Sequence, residues 1–287
     1  MKLFASDLDG TLLNGDHKIS KENAEAIRKA QEQGVKVVVA TGRSYNSARK
    51  PMAEVGLEAP VICLNGAQIY TVEGKLVRSV PLEKGVAMKI IEACRQKGAY
   101  FELFTNQGGF SSSREDFLKV MVDIMMSANP GLKEEEVKQH ATKRFQEEEI
   151  TIIENYEELV SRTDIEIYKV LAFSTTNTTL ESVRNELSEE TGVAITSSGF
   201  DNLEFNHPQA QKGIALELFA KDIDIDMKDV MAIGDNYNDV SMLQAAGMGV
   251  AMGNADEEIK QLSDFVTKTN LEHGVAYAIE EMLKVQK

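Results

Sequence analysis

Asp7-Leu8-Asp9-Gly10-Thr11, arriving directly after the apolar run Leu3-Phe4-Ala5, is the stretch that decides the fold. A short apolar run that ends in Asp-x-Asp reads as a buried strand. Side chains alternate along it, so both carboxylates leave its exit on one side while Leu8 takes the other. Two acids held side by side repel by about 4 kcal/mol at ~4 Å and an effective dielectric near ~20, and a cation that bridges them relieves this. Gly10 and Thr11 let the chain turn sharply and bring backbone N–H groups toward an anion. A calcium-binding EF-hand loop starting at Asp7 is excluded, because its sixth position would be Leu12 instead of Gly and its twelfth Lys18 instead of Glu.

Three further segments repeat the pattern of polar residues at strand and helix ends. Val35-Lys36-Val37-Val38-Val39-Ala40 is a β-branched run of the kind buried in parallel sheets, and Thr41-Gly42-Arg43 follows it as a hydroxyl in a flexible turn, suited to phosphate. Lys212-Gly213 opens Ile214-Ala215-Leu216-Glu217-Leu218-Phe219, whose apolar spacing is helical. Asp229-Val230-Met231-Ala232-Ile233-Gly234 reads as a buried strand running into Asp235-Asn236-Tyr237-Asn238-Asp239. Each residue also has a plainer role open to it. Lys212 could be a surface lysine, Thr41 could cap the helix beginning near Ser44, Asn238 or Asp239 could cap the helix that follows, and Asn65-Gly66 could be a simple turn.

Taken in order, Asp7-Leu8-Asp9-Gly10-Thr11, Thr41, Lys212 and Gly234-Asp235-Asn236-Tyr237-Asn238-Asp239 resemble the four motifs of the haloacid dehalogenase (HAD) superfamily. The long gap between Thr41 and Lys212, with Leu64-Asn65-Gly66-Ala67 after the third strand, is similar to the Cof-type phosphatases. The resemblance implies a Mg²⁺-dependent phosphatase. Asp7 is then the nucleophile that forms an aspartyl-phosphate, and Asp9 the general acid/base, a role that asks for a raised or switchable pKa. Asp7, Asp235 and the Asp9 backbone carbonyl would hold the metal. Thr41, Gly42, Lys212 and Asn238 would bind the phosphoryl group, with Asp239 orienting Lys212 or a metal-bound water. Arg43, Asn65 and Arg114 are candidate substrate contacts.

The rest of the chain fits an α/β protein with two domains. Strands and helices alternate up to residue 82 and again from 207 to 287, which predicts a Rossmann-like, doubly wound parallel sheet with helices on both faces. Ser20 is the expected N-cap of a helix through Gln33 with Gly34 at its C′ position, and Pro51 should weaken or kink the helix around 44 to 55. Residues 83–206 read differently, with helices near 83–97, 115–127, 134–146 and 177–191 and strands at 165–174 and 193–205. That stretch is expected as an inserted α/β cap domain, which by the resemblance selects the substrate.

A length of 287 residues and 43% hydrophobic composition provide for two cores. The net charge of −15 and the lack of a basic run argue against nucleic acid and acidic membrane as partners, and a local metal with Lys212 and Arg43 would still favour an anion at the site. Cys63 and Cys94 form no Cys-x-x-Cys and sit among apolar neighbours, as thiols do in a reducing cytosol, and no apolar stretch is long enough for a signal peptide or a membrane span. The expectation is a cytoplasmic monomer or homodimer acting on a small phosphorylated metabolite. Gly247-Met248-Gly249-Val250-Ala251-Met252-Gly253 has one residue too many for a dinucleotide fingerprint, and the four histidines form no metal motif. Asp9 argues against a haloalkanoate dehalogenase, which needs no acid at that position. A phosphomutase or phosphotransferase, and a non-catalytic phosphate sensor, remain alternatives. Sugar or polyol phosphates, pyridoxal phosphate and the phosphorylated riboflavin precursor are the candidate substrates within the Cof-type group.

Overall fold

The computed structural model describes residues 1–128, 150–199 and 201–285, together with 135, 137–139 and 142. The chain folds as two compact units, Met1–Ser79 with Gln209–Lys287, and Val80–Pro208. The sequence reading set these crossings at 82/83 and 206/207.

In the first unit, β1 (Leu3–Ser6), β2 (Lys36–Ala40), β3 (Val61–Cys63), β4 (Gln68–Tyr70) and β5 (Leu76–Ser79) come from the first segment. β12 (Val230–Gly234), β13 (Met248–Ala251) and β14 (Phe265–Val266) come from the second. They form one eight-stranded sheet in the order β14-β13-β12-β1-β2-β3-β4-β5. The six β-branched and apolar strands from β14 to β3 are parallel, as expected. β4 and β5 add an antiparallel hairpin that the alternation did not announce. Strand β1 lies between β2 and β12, and the chain winds outward from it in both directions, so the switch of topology falls at β1.

Alternation along β1 sends Leu3 and Ala5 to one face, where Val38, Ala40 and Ile62 join them. Ala215, Leu216 and Ala220 of α7 (Lys212–Asp222) and Met242 and Leu243 of α8 (Val240–Ala245) cover that face. On the other side α1 (Lys21–Glu32) packs against α10 (Gly274–Val285), burying Ile27 and Ile279. Ser20 caps α1 by accepting from Asn23 N, and Gly34 takes φ 86°, both as the sequence predicts. Helix α2 (Tyr45–Glu54) runs through Pro51 without interruption and is capped by Ser44 rather than Thr41.

The second unit holds a six-stranded sheet in the order β10-β11-β9-β6-β7-β8. Its strands are β6 (Tyr100–Thr105), β7 (Gly108–Ser111), β8 (Ile150–Ile152), β9 (Ile167–Phe173), β10 (Ala194–Thr196) and β11 (Asn202–Asn206). The single strand expected over 193–205 is a hairpin, because the chain bends after Thr196 and returns antiparallel as β11. One face carries Phe101, Leu103, Val170, Ala172 and Phe205, packed on α3 (Lys84–Lys97) and α6 (Asn177–Glu186). The other holds a buried ion pair, Lys169 Nζ to Glu204 Oε1 at 3.1 Å, with the ammonium 4.7 Å from the centre of the Phe104 ring. Helix α6 ends at Glu186, short of the predicted 191. The helix expected over 134–146 lies largely outside the described residues. Both cysteines are buried, and burial, with Glu186 nearby, pushes the Cys94 thiol up to about 12.

Candidate active site

Three parallel strands deliver polar residues at their carboxyl ends. Asp7 follows β1, Thr41 follows β2 and Asp235 follows β12. Backbone bonds from Asp7 N to Ile233 O (3.0 Å) and from Thr41 N to Ile62 O (2.8 Å) carry the sheet register into the site. Ligands of open α/β sheets bind at this location, outside the strand ends beside the switch point.

Lys212 is the first residue of α7, and its side chain is fully buried. Its Nζ donates to Asp7 Oδ1 at 2.7 Å and to Asp239 Oδ1 at 2.6 Å, so a surface role is ruled out. A Cβ at Gly213 would overlap the Ser241 carbonyl, so glycine at this position is what lets α7 approach α8 closely enough for Lys212 to reach across. Asp239 spends its other oxygen on the backbone N–H groups of Asp235 and Asn236, both at 3.0 Å. Both oxygens of Asp239 are thus engaged, one by the Lys212 ammonium and one by backbone N–H groups.

Carboxylate oxygens of Asp7, Asp235 and Asp239 lie within 4.8 Å of one another. Three carboxylates against one ammonium leave this buried cluster with a formal charge of two minus. Burial pushes the Asp7 carboxyl well above its ordinary range; Lys212 opposes this, and Asp239, Asp235 and Asp9 reinforce it. Burial, with Asp239 adding, raises Asp235 to about 7 against the opposing hydrogen bond from Thr11. The ammonium of Lys212 is held above its usual range, because Asp239 and Asp7 outweigh the burial that would lower it. Hard oxygen donors in a cluster that would carry a double negative charge when fully ionised, and carboxyls that resist that ionisation in the absence of a cation, fit a divalent cation.

The loop Leu8–Leu12 closes beside this cluster. Gly10 has φ 74°, and a Cβ there would overlap Asp235 Oδ2, so only glycine lets the loop pass this carboxylate. Thr11 Oγ1 donates to Asp235 Oδ1 at 2.8 Å. Asp9, in contrast, turns away from the three acids. Its side chain is 49% exposed and is gripped by Arg43, whose Nε and Nη2 donate to the two carboxylate oxygens at 2.7 and 2.6 Å. Partial desolvation within the site would raise its pKa, but the Arg43 bonds and charge outweigh this and hold the carboxyl below its ordinary value. The acid/base role asks for a raised or switchable carboxyl; with Arg43 in place it is held low, which leaves the switchable case. Arg43, read from the sequence as a substrate contact, is a partner of Asp9 in this structure.

Thr41 is buried, and its Oγ1 accepts from Arg43 N at 3.1 Å across the Gly42 turn. Asn65 sits in a left-handed turn with Leu64 (φ 49° and 60° for Leu64 and Asn65), a conformation that costs about 1–3 kcal/mol for a residue such as leucine. Its N–H donates to Thr41 O at 3.0 Å, and its Oδ1 accepts from Asn238 Nδ2 at 3.3 Å. The structure thus brings Asp7, Asp9, Thr41, Gly42, Arg43, Asn65, Lys212, Asp235, Asn238 and Asp239 to one end of one sheet. Arg114 belongs to the other unit, exposed at the first turn of α4 (Arg114–Ala128). The sequence reading gave Thr11 a part in the turn but not its side-chain bond to Asp235, and it missed Asn254, whose Nδ2 donates to Gly10 O at 2.8 Å. Asn254 stands just beyond β13, so the rule that found Asp7, Thr41 and Asp235 also applies to it.

Among the described residues no helix is long and apolar enough to cross a membrane. The sequence profile of the haloacid dehalogenase-like hydrolases matches residues 4–279. The phosphatase YwpJ of Bacillus subtilis (strain 168) is 38% identical over 285 residues, spanning 99% of this chain and 100% of that protein. The 5-amino-6-(5-phospho-D-ribitylamino)uracil phosphatase YwtE of the same organism is 36% identical over 287 residues, covering 100% of this chain and 99% of its own. The solved structure of a haloacid dehalogenase-like hydrolase from B. subtilis superposes with a TM-score of 0.90 at 38% identity, over 98% of this chain and 100% of that one. A strand-end cluster of carboxylates around a buried lysine, in a chain matched over almost its whole length, places this protein in the haloacid dehalogenase-like hydrolase family, as one of its phosphatases.

Proposed function

We propose that this chain is a Mg²⁺-dependent phosphatase that hydrolyses a small phosphate monoester by nucleophilic attack of Asp7 on phosphorus. The observation that carries the reading is the placement of the Asp7 carboxylate. It stands at the end of the central strand, fixed through one oxygen by a fully buried ammonium, inside a cluster whose charge calls for a divalent cation. Asp7, Asp235 and the Asp9 carbonyl would hold Mg²⁺, which when bound neutralises the phosphate dianion facing Asp7. Lys212, Thr41 and Asn238 supply donors to the phosphoryl oxygens, where charge spreads in the transition state.

Asp9 is assigned as the group that protonates the leaving oxygen and then activates water. Because Arg43 holds it ionised, proton delivery requires that this pair loosen when substrate binds. We assign recognition of the leaving alcohol to the unit of residues 80–208. A sugar or polyol phosphate is the favoured class, and the ribityl phosphate in the name of the YwtE relative supports a polyol chain.

Asp7→Asn tests the reading. Phosphate release from a panel of sugar and polyol monoesters, with Mg²⁺ present, should fall about 1,000-fold or more in this variant. Retention of more than about a tenth of the activity, a loss below ~1.4 kcal/mol of transition-state stabilisation, would rule out covalent catalysis by Asp7.

A further inference from the structure

The loop that carries Asp9 cannot satisfy its own backbone. It is a single wide turn, closed by Leu13 N to Leu8 O at 2.8 Å, and inside it Asp9 (φ −76°, ψ 126°) and Gly10 (φ 74°, ψ −4°) leave helical geometry. Carbonyls that the turn does not use are taken by side-chain amides from three other places. Asn254 Nδ2 donates to Gly10 O at 2.8 Å, Asn23 Nδ2 to Leu12 O at 3.2 Å and Asn270 Nδ2 to Leu13 O at 2.9 Å.

These three asparagines differ in kind. Asn23 is buried, and its Oδ1 accepts from Ala276 N at 3.0 Å, so it ties α1 to α10 and belongs to the core. Asn254 is exposed, yet both ends of its amide are engaged, since Oδ1 accepts from Asn270 N at 2.9 Å. Gly10, Asn254, Asn270 and Leu13 therefore form a closed circuit around the turn. The two partners also fix which way the Asn254 amide faces.

The peptide that Asn254 grips joins Gly10 to Thr11. On its far side Thr11 is anchored on Asp235, and on its near side lies Gly10, the one residue of the loop with unrestricted backbone rotation. Rotation at Gly10 would swing both the Asp9 side chain and the Asp9 carbonyl. We propose that Asn254 is a positioning residue for the reaction, aiming Asp9 at the leaving oxygen by locking the Gly10–Thr11 peptide. This rests on the reading of Asp9 as the acid/base.

A positioning role for Asn254 and a merely structural one separate by leaving group. A p-nitrophenolate leaves with little need of a proton, whereas an alkoxide of a sugar or polyol phosphate depends on one. Asn254→Ala should lower kcat/KM on an alkyl monoester about 10- to 100-fold, and on p-nitrophenyl phosphate less than about 3-fold. Asp9→Asn should show the same bias more strongly, and adding Asn254→Ala to it should cost the alkyl ester nothing further. Asn254→Asp keeps the acceptor for Asn270 N but loses the donor to Gly10 O, and should behave as the alanine variant does. Asn270→Ala keeps the backbone N–H that Asn254 accepts from and removes only the side-chain bond to Leu13 O, opening the circuit at its outer end; it should reproduce the bias in weaker form and covers the case that Asn254→Ala folds poorly. Equal losses on both esters, or additivity with Asp9→Asn, would overturn the role of Asn254. Equal losses in Asp9→Asn itself would overturn the acid/base reading instead.

Discussion

Lys212→Met removes one charge, keeps most of the side-chain volume, and tests whether the ammonium holds the site together. The lysine side chain is fully buried, with Asp7 and Asp239 oxygens at 2.7 and 2.6 Å. Methionine would leave two carboxylates facing each other without a counter-charge, and breaking a buried pair in this way costs about 3–5 kcal/mol. Protonation offers an escape. Asp7 is already pushed up by burial, and loss of Lys212 removes the main influence that lowers it. A carboxyl whose folded pKa exceeds its unfolded one binds a proton more tightly in the native state, so native stability falls as pH rises from the unfolded value through the folded one. The deficit of Lys212→Met should therefore approach the full ~3–5 kcal/mol near pH 8 and shrink near pH 5. Hydrogen exchange of peptides spanning β1, measured in chelator with urea, reads the unit that contains the site rather than the whole chain. Adding Asp7→Asn should restore part of the loss, because the charge left unpaired is then removed as well. A deficit below about 1 kcal/mol, or one that does not change with pH, would refute the argument.

Other consequences concern the cation. Mg²⁺ at about 100 times its Kd should stabilise the site-bearing unit by ~2.7 kcal/mol and restore activity abolished by chelator, and full turnover in excess chelator would contradict the assignment. Ca²⁺, larger and less strict in geometry, should bind and stabilise without supporting turnover, which a phosphate-release assay with each metal will show. Affinity for Mg²⁺ should climb with pH through about 7, because binding must displace a proton from Asp235 and from Asp7, whose carboxyl is also held well above its ordinary range. Calorimetric titration that gives the same affinity at pH 5.5 and pH 8 would refute this.

Much of the site was legible because parallel strands are buried on both faces and end abruptly in polar residues. Val37-Val38-Val39-Ala40 before Thr41, and Met231-Ala232-Ile233-Gly234 before Asp235, show that contrast without any knowledge of partners. What stayed hidden is pairing across long stretches of chain. The grip of Arg43 on Asp9 spans 34 residues, that of Thr11 on Asp235 spans 224 and that of Asn254 on Gly10 spans 244. No local periodicity carries such information, so the Arg43 partner that holds Asp9 low was not foreseen. The β10–β11 hairpin was missed for a different reason. Thr196-Ser197-Ser198-Gly199 is polar enough to continue an exposed strand and small enough to turn, and composition alone does not decide between them.

The position of β1 has a bearing on how the protein is made. Its residues Leu3–Ser6 pair on one side with Lys36–Val39 and on the other with Val230–Ile233. A ribosome delivers the first partner at once and the second only after the whole of residues 80–208 has emerged. That intervening unit is continuous in sequence and can fold first, while one edge of β1 waits with its amides and carbonyls unpaired, the kind of edge that invites mispairing between nascent chains. The same order of synthesis means that Asp7 meets Lys212 and Asp235 only near the end of translation. Chains released before residue 212 therefore carry the Asp7 carboxylate without its ammonium or its neighbouring acid, and on the proposed mechanism they should not hydrolyse phosphate esters.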